Sequence, residues 1–504
     1  MSERLADLLT AARGAQSAWA ARPMNQRCRL VGGVRRGMAD RADAFGAMLV
    51  DAVPARRSAA EGLSGELLPL LSSASWLQRR GARVLRSRRV GCWRRPLWLT
   101  GQSAVVERRP LGVVLVIAPG NYPLMLAGAQ ALQALAAGNA VLMKPAPGTV
   151  ELMTAFAEAL RDAGLPDGLF GVLGDTIEAG REAVASAVDH VVFTGSATTG
   201  RAILGELAER LTPATMELSG CDACVVLPNA KEKHLDRAAT AIAFGLTYNG
   251  SQTCIAPRRV LATPTHAARL GELLTRRLGP AEEATPVSPA VAQRLNGLID
   301  GAVADGARVL RGGGIDSSGH CQPTVLADVS PDSALVASDT FAPWVAIVPC
   351  ASEDAMAAAD ARCPYRLGAS IFGPEATARA MASRLGASNI AINDVIVPTA
   401  DPRLPFGATG ESGYGVTRGP EGLLAMTRPV VVATRRGGTP RHYDTDTPGL
   451  DRLLLAAIRL THGGGRRLQA VREMVSALAQ LGKPASPKDR RDNAPPPDDP
   501  PAGP

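Results

Sequence analysis

The sequence predicts an α/β protein built around a parallel sheet with helices on both faces. Between residues 112 and 193, short β-branched runs alternate with longer stretches of helical periodicity, a pattern typical of parallel strands joined by crossover helices. The chain has 504 residues, which is too long for one hydrophobic core, so we expect two or three domains. Its content of 46% hydrophobic and 20% charged residues is that of an ordinary globular protein.

The elements of the first half follow from these patterns in order. Residues 1–87 are predicted to be helical because apolar positions recur at intervals of three and four, and residues 88–110 are predicted to form a short extended hairpin. The alternating part then predicts four strands and four helices. The strands are Val113–Ala118, Ala140–Lys144, Leu169–Leu173 and His190–Phe193, and the helices are Leu124–Ala137, Val150–Ala163, Ile177–Ala187 and Arg201–Leu211.

The second half contains another α/β stretch, from residue 217 to about residue 394, and then a glycine-rich loop at residues 405–415. Two apolar stripes of helical spacing lie beyond it, from Leu450 to Ile458 and from Val471 to Leu481. Arginines flank both stripes, so docking onto the body or across a dimer is the favoured interpretation, and contact with a membrane surface is the alternative. Residues 485–504, ending PPPDDPPAGP, lack the apolar content of a core and are expected to be disordered.

Composition excludes several classes of function. The net charge of +8 would fit a nucleic-acid partner, but the arginines are spread along the chain and only 4% of residues are aromatic, so we expect no nucleic-acid binding. No run reaches the roughly 18 apolar residues that span a bilayer. The N-terminus is typical of an amphipathic helix rather than of a signal peptide. We therefore expect a cytoplasmic protein with reduced thiols.

Two residues stand out as candidates for chemistry. Cys254 follows a polar, glycine-bearing turn, Asn249-Gly250-Ser251-Gln252-Thr253, which would present a nucleophilic thiol to a carbonyl carbon; a small buried structural residue is the alternative. Lys144 is the only lysine in the first 230 residues of a chain whose other cations there are arginine. A compact ammonium and a planar guanidinium are not interchangeable at a tight hydroxyl or phosphate contact, so Lys144 is a candidate ligand contact.

The cysteines point to neither disulfides nor a metal. Eight cysteines in a chain of this length are too few and too scattered for a disulfide scaffold. Cys221 and Cys224 form a CxxC pair, but no second Cys/His pair has suitable spacing. We therefore expect no metal site.

Three segments stand where a parallel sheet places its ligands, beyond the carboxyl ends of the strands. These are residues 119–123, 144–147 and 194–200. The third leads from a strand into a helix, so its amides can face a phosphate at the positive end of the helix.

A series of short motifs runs in order along the chain. They are Pro119-Gly120-Asn121-Tyr122-Pro123, Lys144-Pro145, Phe193-Thr194-Gly195-Ser196, Glu217-Leu218-Ser219-Gly220, Gln252-Thr253-Cys254, Asp339-Thr340-Phe341-Ala342-Pro343 and Pro405-Phe406-Gly407. With these motifs the chain resembles the aldehyde dehydrogenase superfamily over residues 1–437, and most closely its shorter class 3 branch. The resemblance implies an α/β fold with a parallel-sheet coenzyme domain, a second α/β catalytic domain and a small oligomerisation hairpin.

The resemblance also implies a division of the chain and a homodimer. Residues 1–87 and 111–218 would form the dinucleotide-binding domain and residues 219–395 the catalytic domain. Residues 88–110 and 396–437 would form an oligomerisation or bridging segment, residues 438–484 the C-terminal amphipathic helices, and residues 485–504 the tail.

The chemistry implied by the resemblance is the oxidation of an aldehyde to a carboxylic acid with NAD or NADP. Cys254 would attack the carbonyl and pass through a thiohemiacetal and a thioester, Asn121 would stabilise the oxyanion, and Glu217 would activate the hydrolytic water. The implied coenzyme contacts are Lys144 and Asp339 on the ribose hydroxyls, Gly195 and Ser196 on the pyrophosphate, and Phe341 beside the nicotinamide ribose.

Several positions depart from the family pattern, and three of them bear most on activity. Gly120 replaces the tryptophan beside Asn121, Pro147 replaces a glutamate that binds ribose hydroxyls, and Cys221 replaces a lysine. Loss of that glutamate reduces repulsion of a 2′-phosphate and leaves NADP harder to exclude. These departures make a weakened or inactive relative that binds nucleotide or a partner the alternative function. A cysteine hydrolase is disfavoured because none of the six histidines lies in a recognisable motif.

Overall fold

The computed structural model describes residues 2–91, 93, 95, 99, 101–278, 284–316, 318–437, 447–465 and 467–481. The chain forms two compact units, one of Met1–Arg89 with Val105–Val432 and one of Val90–Ala104 with Ala433–Pro504. The predicted disorder of residues 485–504 lies outside the described residues. The predicted division into coenzyme, catalytic and bridging parts stays a prediction.

Helices dominate the N-terminal part, as expected from its periodicity. Two π-helical turns, Leu63–Leu67 and Leu77–Gly81, join α4, α5 and α6, and short 3₁₀ turns occur at Tyr248–Ser251, Ala334–Ala337 and Val397–Ala400. The helices are α1 (Glu3–Ala21), α2 (Met24–Asp40), α3 (Ala42–Ala52), α4 (Ala59–Gly62), α5 (Leu68–Trp76), α6 (Ala82–Val84), α7 (Met125–Ala137), α8 (Val150–Asp162), α9 (Ile177–Val184), α10 (Ala197–Ala208), α11 (Glu232–Thr247), α12 (Pro264–Arg277), α13 (Pro289–Ala304), α14 (Glu353–Arg362), α15 (Glu375–Ala382), α16 (Gly419–Ala425), α17 (Leu450–His462) and α18 (Arg467–Gln480).

The strands form two large sheets and several small ones. They are β1 (Arg88–Val90), β2 (Gln102–Pro110), β3 (Val113–Ile117), β4 (Ala140–Lys144), β5 (Phe170–Val172), β6 (His190–Thr194), β7 (Ala214–Glu217), β8 (Asp222–Val226), β9 (Pro257–Ala262), β10 (Thr285–Pro286), β11 (Arg308–Arg311), β12 (His320–Cys321), β13 (Thr324–Ala327), β14 (Trp344–Pro349), β15 (Tyr365–Arg366), β16 (Gly368–Phe372), β17 (Asn389–Ile392), β18 (Phe406–Gly407), β19 (Thr409–Gly410), β20 (Gly413–Tyr414), β21 (Val416–Thr417) and β22 (Thr427–Arg435). β1 and β2 fall within the predicted hairpin, of which residues 92, 94, 96–98 and 100 lie outside the described part.

The first large sheet confirms the predicted parallel architecture. Its six strands lie in the order β20-β7-β6-β3-β4-β5, and all are parallel except β20, which pairs antiparallel with β7. β3 and β4 are buried at every position, as expected for strands covered on both faces. The carboxyl ends of β4, β6 and β7 carry Lys144, Thr194 and Glu217, so candidate site residues meet at one edge of the sheet.

Helix α7 lies in the interior because nine of its thirteen residues are alanine or leucine. Twelve of its thirteen residues are buried, and these residue types lose little side-chain entropy in a helix. The helix ends at Gly138, whose φ of 105° supplies a left-handed cap. Asn121 and Tyr122 precede the first turn of α7 and lie at the edge of the sheet where the strands end.

The second large sheet carries the candidate nucleophile. Its seven strands lie in the order β11-β13-β14-β9-β8-β16-β17, with parallel pairing everywhere except between β11 and β13. This confirms the predicted second α/β stretch. Cys254 lies between α11 and β9, in the connection that follows the 3₁₀ turn.

Two local predictions differ from the structure. The helix expected near residues 201–211 begins at Ala197, because Ser196 already caps it by accepting a hydrogen bond from the Thr199 N–H at 3.2 Å. The glycine-rich loop also contributes a strand: Gly413 and Tyr414 pair with Glu217 and Met216 at the edge of the first sheet.

The second unit contains α17 and α18. Their buried residues are Ala456, Ala470 and Ala477, whereas Leu454 and Ile458 are exposed. Much of the two predicted apolar stripes therefore faces outward. Among the helices of the described segments, none has the length and apolar character needed to span a bilayer.

Candidate active site

One cavity in the first unit brings the candidate residues together. Its volume is about 1860 Å³, which exceeds the roughly 300–1,000 Å³ of a single small-molecule site. It therefore has room for two ligands side by side. The lining includes every catalytic and coenzyme residue inferred from the sequence, namely Asn121, Lys144, Gly195, Ser196, Glu217, Cys254, Asp339 and Phe341.

Cys254 follows a turn of left-handed backbone. The φ angles of Asn249, Gly250 and Ser251 are 53°, 59° and 58°. Glycine adopts this conformation freely and asparagine tolerates it, but serine does so at a cost. A Cβ on Gly250 would also lie 2.6 Å from the Ala55 Cβ, so the turn needs glycine for space as well as for conformation.

A buried arginine of β9 holds the left-handed serine. Arg258 Nη1 donates to Ser251 Oγ at 2.8 Å, and Nη2 donates to the Ser251 carbonyl at 2.5 Å. Nη1 also donates to the Ala342 carbonyl at 2.6 Å, and the guanidinium lies 5.6 Å from the ring centre of Trp344. These contacts offset the strain of the turn, since such a conformation persists only where its surroundings determine it.

A second buried arginine joins the turn to the Asn121 loop. Arg56 Nε donates to Asn249 Oδ1 at 2.8 Å, and its Nη2 donates to the Asn121 carbonyl at 3.1 Å. The Asn249 amide donates to the same carbonyl at 3.1 Å. One guanidinium thus fixes both segments that would act on a carbonyl substrate.

Glu66 neutralises Arg56 and also caps α7. The side chains of Arg56 and Glu66 form an ion pair and have no exposed surface. Glu66 Oε2 accepts hydrogen bonds from the Leu124 and Met125 N–H groups at 2.6 and 2.9 Å, so it satisfies free amides at the helix start. Burial raises the pKa of Glu66, and the charge of Arg56 opposes that rise.

Asn121 lies beside the loop that carries Cys254. Its Nδ2 donates to the Gln252 carbonyl at 2.8 Å. A Cβ built on Gly120 would come no closer than 3.9 Å to the Ala146 side chain, so this position leaves open the space of a larger side chain. The hydrogen bond from Arg56 supports the Asn121 loop where that larger side chain is missing.

The thiol of Cys254 is protonated in the resting structure. Cys254 is half-buried; burial, followed by the charges of Asp222 and Glu217, raises its pKa to about 12, against a smaller lowering by Arg418. A thiol with this pKa needs a base or a charge change to become a nucleophile.

Glu217 is a buried carboxylate at the end of β7. Its Oε1 accepts a hydrogen bond from Thr417, and its Oε2 accepts from Gln130 Nε2 at 3.3 Å and Thr194 Oγ1 at 3.4 Å. Burial raises the pKa of Glu217, opposed first by the charge of Arg418 and then by these hydrogen bonds. A carboxylate with a raised pKa is suited to general-base chemistry.

Arg418 also lines the cavity, and its charge interacts with both Glu217 and Cys254. Its guanidinium carbon lies 4.2 Å from the ring centre of Phe406, and Nη1 donates to the Thr399 carbonyl. Burial lowers the pKa of Arg418, while Glu217 and Cys254 raise it. Its positive charge therefore balances the negative charge that Glu217 and an ionised Cys254 would place here.

The start of α10 fits a pyrophosphate. A Cβ on Gly195 would lie 2.4 Å from the Phe193 ring, so only glycine leaves this cradle open. Ser196 is exposed and caps the helix, whose N-terminus faces the cavity with Thr198 and Thr199. A helix N-terminus with open backbone access is a ready site for phosphate oxygens.

Lys144 reaches the same side of the cavity. Its Nζ donates to the Asp175 carbonyl at 2.9 Å, which holds the ammonium at the wall. Burial lowers its pKa, opposed by the charge of Asp175. Ala146 and Pro147 line the cavity beside it, so this stretch offers no carboxylate to a ribose.

Asp339 and Phe341 complete the coenzyme side, with one difference from expectation. Asp339 already forms a salt bridge with Arg294 at 3.0 Å, so a ribose hydroxyl would share the carboxylate with that arginine. Phe341 lies on the cavity wall as expected.

The CxxC cysteines lie apart from the cavity lining. Cys221 and Cys224 are fully buried, and the Cys221 thiol donates to the Val336 carbonyl at 3.5 Å. Across the described ranges, no group of three or more His, Cys, Asp or Glu side chains is arranged to hold a metal ion.

Sequence reasoning missed the arginines that organise the site. Arg56, Arg258 and Arg418 are buried, but arginine is too common in this chain to attract attention. The sequence did contain one signal for Arg258. It is one of two adjacent arginines in an apolar strand, and this strand directly follows the loop that carries Cys254, the nucleophile loop. Two charged side chains in a strand that is buried on both faces must form hydrogen bonds or ion pairs inside the protein.

The raised pKa of Cys254 predicts how its reactivity depends on pH. Below a pKa of about 12, the thiolate fraction rises about tenfold per pH unit. Alkylation of the free protein by iodoacetamide should therefore accelerate steadily from pH 7 to pH 10. The rate is measured by mass spectrometry of the peptide that contains Cys254. Cys254→Ala supplies the background. A rate that levels off between pH 9 and pH 10 would show that the thiol ionises near its ordinary pKa.

The Arg56 network predicts a large effect from one buried side chain. Arg56→Met leaves Glu66 as an uncompensated buried charge and should lower the free energy of unfolding by about 3–5 kcal/mol, measured by urea denaturation. The neighbouring Arg57 is exposed, so Arg57→Met should change it by less than about 0.5 kcal/mol. Equal effects of the two substitutions would contradict the assigned role of the buried pair.

Comparison with known proteins identifies the family. The profile described as "Aldehyde dehydrogenase family" matches residues 2–432. A 4,4'-diapolycopene aldehyde oxidase of Methylomonas sp. is 32% identical, over 86% of this chain and 82% of its own length. A Mycobacterium tuberculosis protein provisionally named succinate-semialdehyde dehydrogenase [NADP(+)] 2 is 30% identical, over 84% and 83%.

A solved structure agrees with this similarity. The crystal structure of a Mycobacterium tuberculosis aldehyde dehydrogenase complexed with NAD+ superposes with a TM-score of 0.78, at 27% identity, over 86% of this chain and 91% of that one. The fold, the matched profile and the relatives agree. The chain therefore belongs to the aldehyde dehydrogenase family and is an NAD(P)-dependent enzyme.

Proposed function

We propose that the protein oxidises an aldehyde to a carboxylic acid through a covalent intermediate on Cys254. The observation that supports this most directly is that Cys254, Asn121 and Glu217 line the same cavity as the coenzyme residues. A nucleophile, an amide donor and a buried carboxylate are the three groups that acyl transfer through a thiol requires.

The first step is attack of the Cys254 sulfur on the aldehyde carbon. The thiol loses its proton to solvent as the sulfur attacks, and the positive charge of Arg418 stabilises the ionised sulfur. The carbonyl oxygen becomes an oxyanion, for which the Asn121 amide and the Cys254 N–H are the proposed donors. Removal of one such donor typically costs about 100- to 1,000-fold in rate.

The residues on the coenzyme side of the cavity would position the hydride acceptor. Lys144 and Asp339 would hold ribose hydroxyls, and Gly195 and Ser196 would hold the pyrophosphate beside Phe341. A bound NAD(P) would supply the acceptor for the hydride that leaves the carbon atom attached to sulfur. The product on Cys254 is a thioester, and Glu217 then removes a proton from the water that hydrolyses it to the free acid.

Two substitutions separate these steps. Cys254→Ala should abolish aldehyde-dependent NAD(P)H formation. Glu217→Gln should slow deacylation more than thioester formation, so stopped-flow absorbance should record a burst of NAD(P)H followed by a weak steady state. Glu206→Gln changes an exposed carboxylate of the same cavity and serves as the control.

The outcomes distinguish this function from its alternative. Equal slowing of burst and steady state in Glu217→Gln would argue against a deacylation base. Wild-type activity in Cys254→Ala would exclude Cys254 as the nucleophile. The second candidate is a relative that binds nucleotide without turnover, supported by the departures at Gly120, Pro147 and Cys221. Calorimetric binding of NAD(P) with no oxidation across a broad aldehyde panel would favour it.

Assembly and location stay proposals. We propose a cytoplasmic homodimer, on the basis of the family resemblance. As the alternative to docking onto the body or a second copy, we propose weak contact of α17 and α18 with a membrane surface, since Leu454, Leu455 and Ile458 are exposed and Arg467 and Arg472 are exposed nearby.

Vesicle binding tests the C-terminal proposal. The full chain should co-sediment with anionic phospholipid vesicles more strongly than a chain lacking residues 446–504, and the difference should shrink in high salt because the arginine contribution is screened. Equal sedimentation of the two chains would leave docking onto the body or a second copy as the role of these helices.

A further inference from the structure

We propose that the catalytic cavity selects uncharged, apolar aldehydes and discriminates against aldehydes that carry a carboxylate or phosphate. The proposal rests on the function assigned above to Cys254 and adds the chemical class of its substrate. Three features of the wall near the thiol support it: a hydrocarbon surface, hydroxyl groups that already have partners, and a cation that is already neutralised.

The wall outside the coenzyme residues is mainly hydrocarbon. It is formed by the start of α7, the end of α11 and the short helix Val397–Ala400. Its apolar side chains include Met125, Leu126, Phe244, Ile396, Val397 and Phe406. Such a surface stabilises a ligand by about 25 cal/mol for each Å² of apolar area removed from water, and it offers nothing to an ionised group.

The tyrosine hydroxyl groups of this wall already have hydrogen-bond partners within the protein. Tyr122 Oη lies 2.7 Å from Thr253 Oγ1. Tyr248 Oη lies 3.1 Å from Ser64 Oγ and donates to the Glu61 carbonyl at 3.3 Å. A substrate anion would have to break these hydrogen bonds to be solvated by the wall.

Gly65 leaves space beside the two tyrosine rings. It lies in the π-helical turn Leu63–Leu67, and a Cβ there would be 2.6 Å from Tyr248 Oη and 3.3 Å from a ring carbon of Tyr122. The absent side chain keeps the cavity open between aromatic surfaces, which suits the body of an apolar substrate. π-turns of this kind are frequent at functional sites.

Arg418 is the cation of this wall, and other groups of the protein already neutralise or bind its guanidinium. Among the described residues that line the cavity, the other cations are Lys144, Arg181 and Arg294, on the coenzyme side. Arg418 donates to the Thr399 carbonyl, stacks on Phe406 and faces Glu217. A substrate carboxylate placed against Arg418 would also meet the charge of Glu217 and of an ionised Cys254, so the approach is not favoured electrostatically.

A matched pair of aldehydes tests the proposal with the full-length enzyme. Pentanal and succinate semialdehyde are similar in length and differ in the terminal charge. We expect kcat/KM for pentanal to exceed that for succinate semialdehyde on the order of 100-fold, because the carboxylate loses water without gaining a partner. Decanal and benzaldehyde should be at least as good as pentanal, and glyceraldehyde 3-phosphate should be poor.

The outcomes separate the substrate class from the function itself. Equal or greater kcat/KM for succinate semialdehyde would overturn the inference and leave the proposed oxidation intact. Failure of every aldehyde with both NAD and NADP would overturn the proposed function, and the inference with it.

An added cation provides a second test with a matched control. Val397 lines the cavity and is 57% exposed, whereas Leu404 is 48% exposed and is not part of the lining. Val397→Arg should shift the kcat/KM ratio toward succinate semialdehyde by about tenfold, since a 1.4 kcal/mol change in binding is a factor of ten. Leu404→Arg adds the same charge outside the cavity and should leave the ratio unchanged. Equal shifts in both variants, or none in Val397→Arg, would contradict a wall that selects by charge.

Discussion

The catalytic arrangement depends on the left-handed turn that precedes Cys254. Asn249, Gly250 and Ser251 all have positive φ angles, and this conformation is costly for serine. Arg258 hydrogen-bonds Ser251, and Arg56 hydrogen-bonds Asn249. The buried guanidiniums thus hold a strained backbone whose function is to present a thiol at the cavity wall.

The same buried arginine links the loop that carries Cys254 to the loop that carries Asn121. Arg56 contacts the nucleophile loop and the Asn121 loop, and its partner Glu66 caps α7. Removal of either charge would disturb the nucleophile, the amide donor and the helix start together. A buried ion pair adds little net stability compared with apolar packing, and here its role is to fix the relative position of two loops.

Electrostatics keep the resting site unreactive. The pKa values of Cys254 and Glu217 are both raised, chiefly by burial, and Arg418 opposes both shifts. A protonated thiol avoids wasteful reactions, and a carboxylate with a raised pKa can accept a proton from the water that hydrolyses the thioester. The hydrocarbon wall beyond the thiol strengthens these interactions because it excludes water. The proposed selection of apolar substrates and the control of reactivity therefore have a common origin.

The sequence predicted what local pattern and motif determine. The strand at Ala140–Lys144 has the predicted bounds, and the motif residues Asn121, Glu217 and Cys254 line one cavity. What sequence reasoning missed depends on long-range contacts: Arg56 bonds Asn249 across 193 positions, and the two-residue strand β20 exists only because β7 lies beside it. No local periodicity encodes such partners.

Identification of the acylated residue tests the account most directly. Glu217→Gln mixed with decanal and NAD should be quenched at the end of the burst and analysed by peptide mass spectrometry. The account predicts a decanoyl group on the peptide that contains Cys254, in proportion to the NADH formed. NADH formation without acylation of Cys254, or acylation of another residue, would contradict it.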